Sequence, residues 1–570
     1  MNTDIAIIGA GPWGLAVLDR LVMTAHKRSD QHFCVTVIDP DEPGPGVHKP
    51  GQPEHLLLNT VAGQIDSFSA THFGEPPLRG ALPFVDWLHA VKQWPADAEG
   101  FVPRALFGAY LRQVFEVLRD NAPRNLELAV RRDVARDLSL AECGRVRIAL
   151  GSGAALTVDR AFVCTGHGLH DEHVTRGPAP LPPYPMEALQ ARIEPGAAVG
   201  ISGMGLVAVD VVASLTEGRG GRFERERDDT LRYLPSGREP VMFVFSRSGT
   251  PFACRPCAPL DSTGAYAPRF CTPAYLAERR LVRGGALQLE DLLGALCDEM
   301  RAAYLSRSGG VPQVFDPESL LQPAGDLRYR SGHEFASAFA ARLAFDVAEA
   351  KQGEAASPYK FAVELLRVLR GFIRQACDAM APAARQQFFE RVAPRIAQLV
   401  VGPPVLRGEQ WLALMRAGLL RTDLGPSPTV SRDHARGVWR AQSAAFDSPL
   451  ACCLDHLVRG QAAEPALRRD GASLLSALYR SGLCAATARD DESETLLPHI
   501  DHEGHPIDAA GRSVNPVTVL GVPTEGVSYF NHYLPSPKSR AAAFERIQAA
   551  IDRLLPQRSD APQRLQAMAV

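Results

Sequence analysis

The stretch that most constrains this chain is its opening, Asp4 to Leu15, which reads DIAIIGAGPWGL. An apolar run from Ile5 to Ile8 is cut by Gly9, Gly11 and Gly14, and apolar residues then recur at helical spacing through Leu15, Val17, Leu18 and Leu21. The pattern predicts strand, glycine turn and helix. In such a unit the first glycine permits the tight turn and the second lets backbone approach a pyrophosphate. The third lets helix pack on strand while its first N–H groups face the phosphates. A second apolar run, Phe33 to Ile38, ends on Asp39, placed where a carboxylate accepts hydrogen bonds from a ribose.

The opening pattern returns at Ala197 to Asp210, AAVGISGMGLVAVD, with Gly203, Gly205 and Ala208 in the three small positions. Alanine serves in the third, where only helix–strand packing is asked of it. The strand that follows, Val241 to Arg247, ends in arginine where the first unit ended in aspartate. An arginine there pairs with a 2'-phosphate, which favours NADPH over NADH; the alternative is a solvated charge at a strand end. Between the two units, Leu126 to Val163 reads as short alternating strands forming a small meander beside the parallel sheet, running into AFVCTGH. Thr165-Gly166 brings backbone back to the nucleotide, and His167 follows directly. Two dinucleotide signatures in one chain point to FAD and a nicotinamide, because hydride passes between those two cofactors.

The remaining segments fit around this pair. Pro43 to Pro53 reads as a loop, opening onto LLLNTVAGQIDSF at 56–68. There Asn59 and Gln64 either arrive beside the bound nucleotide or belong to a surface loop with a buried anchor. The helix-spaced aromatics of PRALFGAYLRQVFEVL at 103–118 read as core. The tail returns to strand chemistry in VTVLGVPTEG at 517–526, so that Glu525-Gly526 gives a third place where backbone meets the flavin. The expected fold is α/β, with two Rossmann-like dinucleotide-binding domains and a large, mainly helical insertion. The expected domains are residues 1–185 for FAD, 186–258 for NAD(P)H, 259–482 for the insertion, and 483–570 completing the FAD domain. The insertion suits a cover for a substrate channel or a dimer contact equally well.

Length and charge narrow the function. At 570 residues the chain has room for several cores, and a net charge of -3 gives no electrostatic case for nucleic acid or a membrane surface, so a small-molecule substrate is expected. The sequence reads as cytoplasmic, with its eleven cysteines reduced. Cys254 and Cys257 form a single CxxC without the second pair of a zinc ribbon. The triplets His167/His170/His173 and His499/His502/His505 have helical metal-ligand spacing but lie among loop-forming residues, so no metal is expected.

These motifs resemble the flavin-dependent N-hydroxylating monooxygenases, including ornithine and lysine N-hydroxylases. The resemblance rests on the glycine turn with Pro12 after Gly11, the segment GQIDSF, PFVDWL, PRALFGAYL, DRAFVCTGH at 159–167, and the second site GMGLVAVD. It covers roughly residues 4–250, while the helical stretch beyond is similar to extended members from natural-product clusters, some of which oxidise the amino group of aspartate. Between Ser69 and Phe73 this chain has no lysine, which the short N-hydroxylases carry near the flavin. The resemblance implies reduction of FAD by NADPH, reaction with O2 to a flavin hydroperoxide, and oxygen transfer to the amino group of an amino acid or related metabolite. The alternatives are a flavin oxidoreductase that passes electrons on without oxygen insertion, with the CxxC as a candidate acceptor, and a non-catalytic FAD-binding protein.

Overall fold

The computed structural model describes residues 2–95, 97–167, 179–257, 266–309, 315–323, 329–461, 467, 471, 473–488, 496–531, 534–536 and 541–555. Its first sheet is parallel throughout, in the order Val517–Val519, Arg160–Val163, Asn2–Ile8, His32–Ile38, Leu126–Arg131. Asn2–Ile8 lies at the centre, and layers on both faces explain why its apolar run is continuous rather than alternating. Ile5 and Ile7 pack against helices Pro12–Lys27, Arg104–Asp120 and Ala541–Asp552. Ala6 and Ile8 face the other way, onto a small antiparallel sheet and helix Leu474–Arg480.

That antiparallel sheet is the meander, and it is smaller than expected. It holds Ala135–Leu140, Val146–Leu150 and Ala155–Val158. The flanking segments Leu126–Arg131 and Arg160–Val163 belong to the parallel sheet instead. Leu126–Arg131 is an edge strand with solvent on one side, so its alternation imitates an antiparallel strand.

The second sheet, also parallel, runs Leu420–Arg421, Val241–Phe245, Ala198–Ser202, His456–Arg459. Two of its four strands come from within the stretch 259–482 expected to be an insertion, which also contains an antiparallel sheet of Thr429–Asp433, Val438–Ser443 and Leu450–Leu454. Strands of two and four residues are too short to carry a readable period, which is why these returns were not visible in the pattern. The helical part itself runs from Pro273–Val282 to Val405–Arg416. It has its own core, built on Leu292, Leu296, Phe361, Leu365 and Phe388, and Tyr529 and Phe530 of the tail insert into it. Among the described residues no helix is long and apolar enough to cross a membrane.

Candidate active site

Each glycine turn is met by the end of a neighbouring strand. Gly9 has φ +92°, and a Cβ there would stand 2.4 Å from the carbonyl oxygen of Cys164, just before Thr165-Gly166. A Cβ on Gly14 would lie 2.0 Å from the Gly9 carbonyl oxygen. In the second unit Gly203, at φ +137°, holds the same position against the Gly460 carbonyl oxygen, again 2.4 Å from a Cβ. These glycines are required by chain packing, since no side chain fits, and at Gly9 and Gly203 the positive φ also excludes most residues. Gly11 differs, because a Cβ there would meet only Gly46 Cα, at 3.5 Å. Its smallness is left for whatever approaches from outside.

Helix Pro12–Lys27 follows Gly11 and helix Leu206–Thr216 follows Gly205, and neither has a side-chain cap. Their first N–H groups therefore keep their hydrogen-bonding capacity and a partial positive charge, the arrangement that receives a pyrophosphate. Both ends open into one cleft of about 3470 Å³. Of the residues singled out in the sequence, Gly9, Gly11, Pro12, Asp39, Asn59, Gln64, Thr165, Gly166, His167, Gly205, Arg247, Glu525 and Gly526 border this cleft. Gly14, Gly203 and the fully buried Ala208 stand behind it as packing positions.

Asp39 accepts from the N–H of Ala10 at 2.7 Å and of Asp41 at 2.9 Å. Burial raises its pKa above the ordinary carboxylate value, and each oxygen retains a lone pair for a ribose hydroxyl. Arg247 is exposed at the cleft rim, with no hydrogen bond or ion pair to its guanidinium from any described residue. Arg342, reaching over from helix Gly332–Ala356, donates to Thr250 Oγ1 at 3.2 Å on the same turn. Asn59 sits where the first unit meets the helical part, donating from Nδ2 to the Val401 carbonyl at 3.4 Å while Arg255 Nη1 donates to its own carbonyl at 2.9 Å. The 56–68 segment is thus a cleft wall, anchored by buried Val61, Ala62 and Ile65.

Sequence reasoning missed two groups here. His48, inside the loop at 43–53, borders the cleft with its Nδ1 buried and unpartnered. Burial, helped by the charges of Arg104 and His167, pushes its pKa down to about 3, so the ring is neutral at working pH. Arg367 and Arg370 of the helical part also line the cleft. Nothing in the local pattern sets any of the three apart from surface residues.

Of the remaining motifs, Cys254 is buried, with its thiol pKa raised by burial, and Cys257 does not border the cleft. A buried thiol held protonated is a poor nucleophile for the thiol–disulfide exchange that a redox-active CxxC requires. His170 and His173 lie outside the described residues. His505 Nδ1 faces Asp501 Oδ2 at 3.3 Å, while His502 is almost fully exposed.

The chain's residues fit two dinucleotides: two uncapped helix ends, a glycine open to the cleft, an acid after one strand and an arginine after the other. Together with the parallel sheets they define a two-dinucleotide flavoprotein using FAD and NAD(P)H. The pattern of the FAD-NAD(P)-binding family matches residues 6–168. An L-aspartate N-monooxygenase (nitrosuccinate-forming) of Streptomyces davaonensis is 30% identical over 618 residues, covering 92% of this chain and 93% of that protein. Another of the same description, from Streptomyces cremeus, is 30% identical over 616 residues, covering 92% and 90%. Nitrosuccinic acid synthase of Aspergillus oryzae is 28% identical over 590 residues, covering 93% and 89%. The chain belongs to the L-aspartate N-monooxygenase family. It is an FAD-dependent, NAD(P)H-using monooxygenase.

Proposed function

We propose that this enzyme oxidises the amino group of L-aspartate to nitrosuccinate, with NADPH as reductant and O2 as oxygen source. The observation that carries the reading is identity of 30% sustained over 92% of the chain with a relative of that description, so that the helical part is shared along with the dinucleotide units. Bound FAD, reduced by NADPH, would supply activated oxygen for transfer to nitrogen.

The chain's own groups divide the remaining work. The N-terminus of Pro12–Lys27 would hold the FAD pyrophosphate and Asp39 its ribose, and the N-terminus of Leu206–Thr216 with Arg247 would hold NADPH. Residues 1–185 and 483–570 would form the FAD unit. The NADPH unit, 186–258, would be extended by the strands within 420–459. Tyr529, Phe530 and Val400, all buried, supply an apolar wall that excludes water from one end of the cleft. All eleven cysteines are free thiols, which supports a reducing, cytoplasmic setting.

The test is turnover of purified holoenzyme with NADPH and L-aspartate under isotopically heavy O2. Nitrosuccinate carrying heavy oxygen on nitrogen is expected. NADPH consumption that yields stoichiometric peroxide and leaves aspartate intact would overturn the reading and favour electron transfer without oxygen insertion.

A further inference from the structure

Arg370 stands out among the charged groups of the described residues. It is only 9% exposed, yet no described residue accepts a hydrogen bond from its guanidinium. Its Nε and Nη1 are buried and unpartnered, and the residue lines the cleft. A guanidinium stays protonated at any physiological pH, so it cannot escape desolvation by losing its charge. Its guanidinium stands over an aromatic face, the Cζ 3.7 Å from the ring centroid of Phe530. Phe530 is itself held unusually, at φ +60°, a region bulky side chains seldom adopt. Arg374, one turn further on, fixes that backbone by donating from Nη2 to the carbonyls of Tyr529 at 3.1 Å and Phe530 at 3.2 Å. The tail segment thus places a ring over the guanidinium, and no described residue forms an ion pair with it.

Three residues earlier, Arg367 also lines the cleft, with a buried and unpartnered Nε. Its Nη2 is already committed to the Val400 carbonyl at 2.9 Å and to Glu364. Val401 next in the chain accepts from Asn59, so this cationic corner adjoins the wall that the first unit contributes. It lies outside both glycine turns, each of which has its own helix end for phosphate.

We infer that Arg370, stacked on Phe530 and flanked by Arg367, binds a carboxylate of the amino-acid substrate. The inference rests on the reading above that the substrate is L-aspartate, which brings two carboxylates and needs cations to receive them. A planar guanidinium with free N–H groups suits a carboxylate in bidentate geometry. This gives the helical part a chemical role, because it supplies a charge that receives the substrate.

Steady-state kinetics of the holoenzyme test the assignment. Arg370→Gln is expected to raise KM for L-aspartate about 10- to 100-fold, while bound FAD and KM for NADPH stay unchanged. Arg370→Lys, which keeps the charge, should recover part of the loss. L-Alanine lacks the side-chain carboxylate and β-alanine lacks the α-carboxylate. The wild type's preference for L-aspartate over one of them should collapse in Arg370→Gln, identifying the group held. An unchanged KM for L-aspartate in flavin-loaded Arg370→Gln would overturn the inference while leaving the proposed reaction standing. Equal rises for L-aspartate and NADPH would overturn it too, by assigning the guanidinium to the dinucleotide. Should Arg370→Gln fail to fold, the same KM comparison on Arg370→Lys decides, since a purely structural cation would leave KM for L-aspartate unmoved. A wild type that neither oxidises L-aspartate nor gains thermal stability from it would overturn both readings together.

Discussion

Arg104 and Asp210 join the two dinucleotide units across a buried contact. Arg104 opens helix Arg104–Asp120 of the first unit, and its Nη2 donates to Asp210 Oδ1 at 3.0 Å while Nη1 reaches Oδ2. Asp210 stands on the helix that begins at the second glycine turn, and the Tyr184 hydroxyl also donates to it. Both side chains are largely buried, at 16% and 6% exposure. Because a bidentate pair tolerates little rotation, it fixes how one cofactor site faces the other. Arg104→Met should destabilise the protein by about 3–5 kcal/mol, since Asp210 is left as an uncompensated buried charge. The double variant Arg104→Met/Asp210→Leu should regain most of that loss. Urea unfolding measures both, and an Arg104→Met midpoint equal to wild type would count against the contact as a structural tie.

What could be read from the sequence was local. Gly9, Gly11, Gly14 and Asp39 sit within one strand–turn–helix–strand unit, and Gly203, Gly205 and Arg247 within another, so spacing alone carried them. The parts that escaped are made by residues distant in the chain. Gly203 needs Gly460 beside it, from a strand inside a stretch that otherwise reads as helical. Arg370 looks like one more arginine on an amphipathic helix until Phe530 arrives from the tail. His48 becomes a half-buried, neutral imidazole only once the fold brings Phe107 against it in a T-shaped contact, 5.0 Å between ring centres.

The glycines of the first turn separate folding from cofactor binding. Gly14→Ala drives a methyl group into the Gly9 carbonyl and should prevent accumulation of folded protein. Gly11 has φ -74°, acceptable to alanine, and room for a Cβ within the chain. Gly11→Ala should therefore change the stability of flavin-free protein by no more than about 1 kcal/mol while bound flavin falls sharply. Absorbance of the purified protein reads the second effect. Full flavin content in Gly11→Ala would mean that the pyrophosphate does not approach this residue.

At the second turn the free guanidinium of Arg247 predicts cofactor preference. Arg247→Ala should raise KM for NADPH by roughly 10- to 150-fold, the loss of about 1.5–3 kcal/mol in charge-assisted hydrogen bonds. KM for NADH, which lacks the 2'-phosphate, should hardly move. Equal changes for both nucleotides would return Arg247 to the status of a solvated strand-end charge.

In mildly acidic solution two groups with displaced pKa values, His48 and Asp19, act on stability with opposite signs. His48 has a folded pKa pushed down to about 3 by burial, against an ordinary value of 6.5. Its contribution is present above the ordinary value and lost as pH falls towards the folded one, by about 1.4 kcal/mol per pH unit and about 2 kcal/mol at pH 5. Asp19, buried beneath Ser69, has its pKa raised by burial to about 7 from 3.8. A raised pKa acts with the opposite sign, so its contribution grows as pH falls from 7 and is complete below the ordinary carboxylate value. The two slopes overlap between about pH 4 and 6.5 and largely cancel there. His48→Gln removes one of them, so this variant should gain stability relative to wild type on going from pH 7.5 to pH 5, by about 2 kcal/mol. Denaturant unfolding at the two pH values, compared between the two proteins, isolates the histidine because every other group is common to both. Parallel pH profiles would show that the imidazole titrates normally in the folded protein and is open to water.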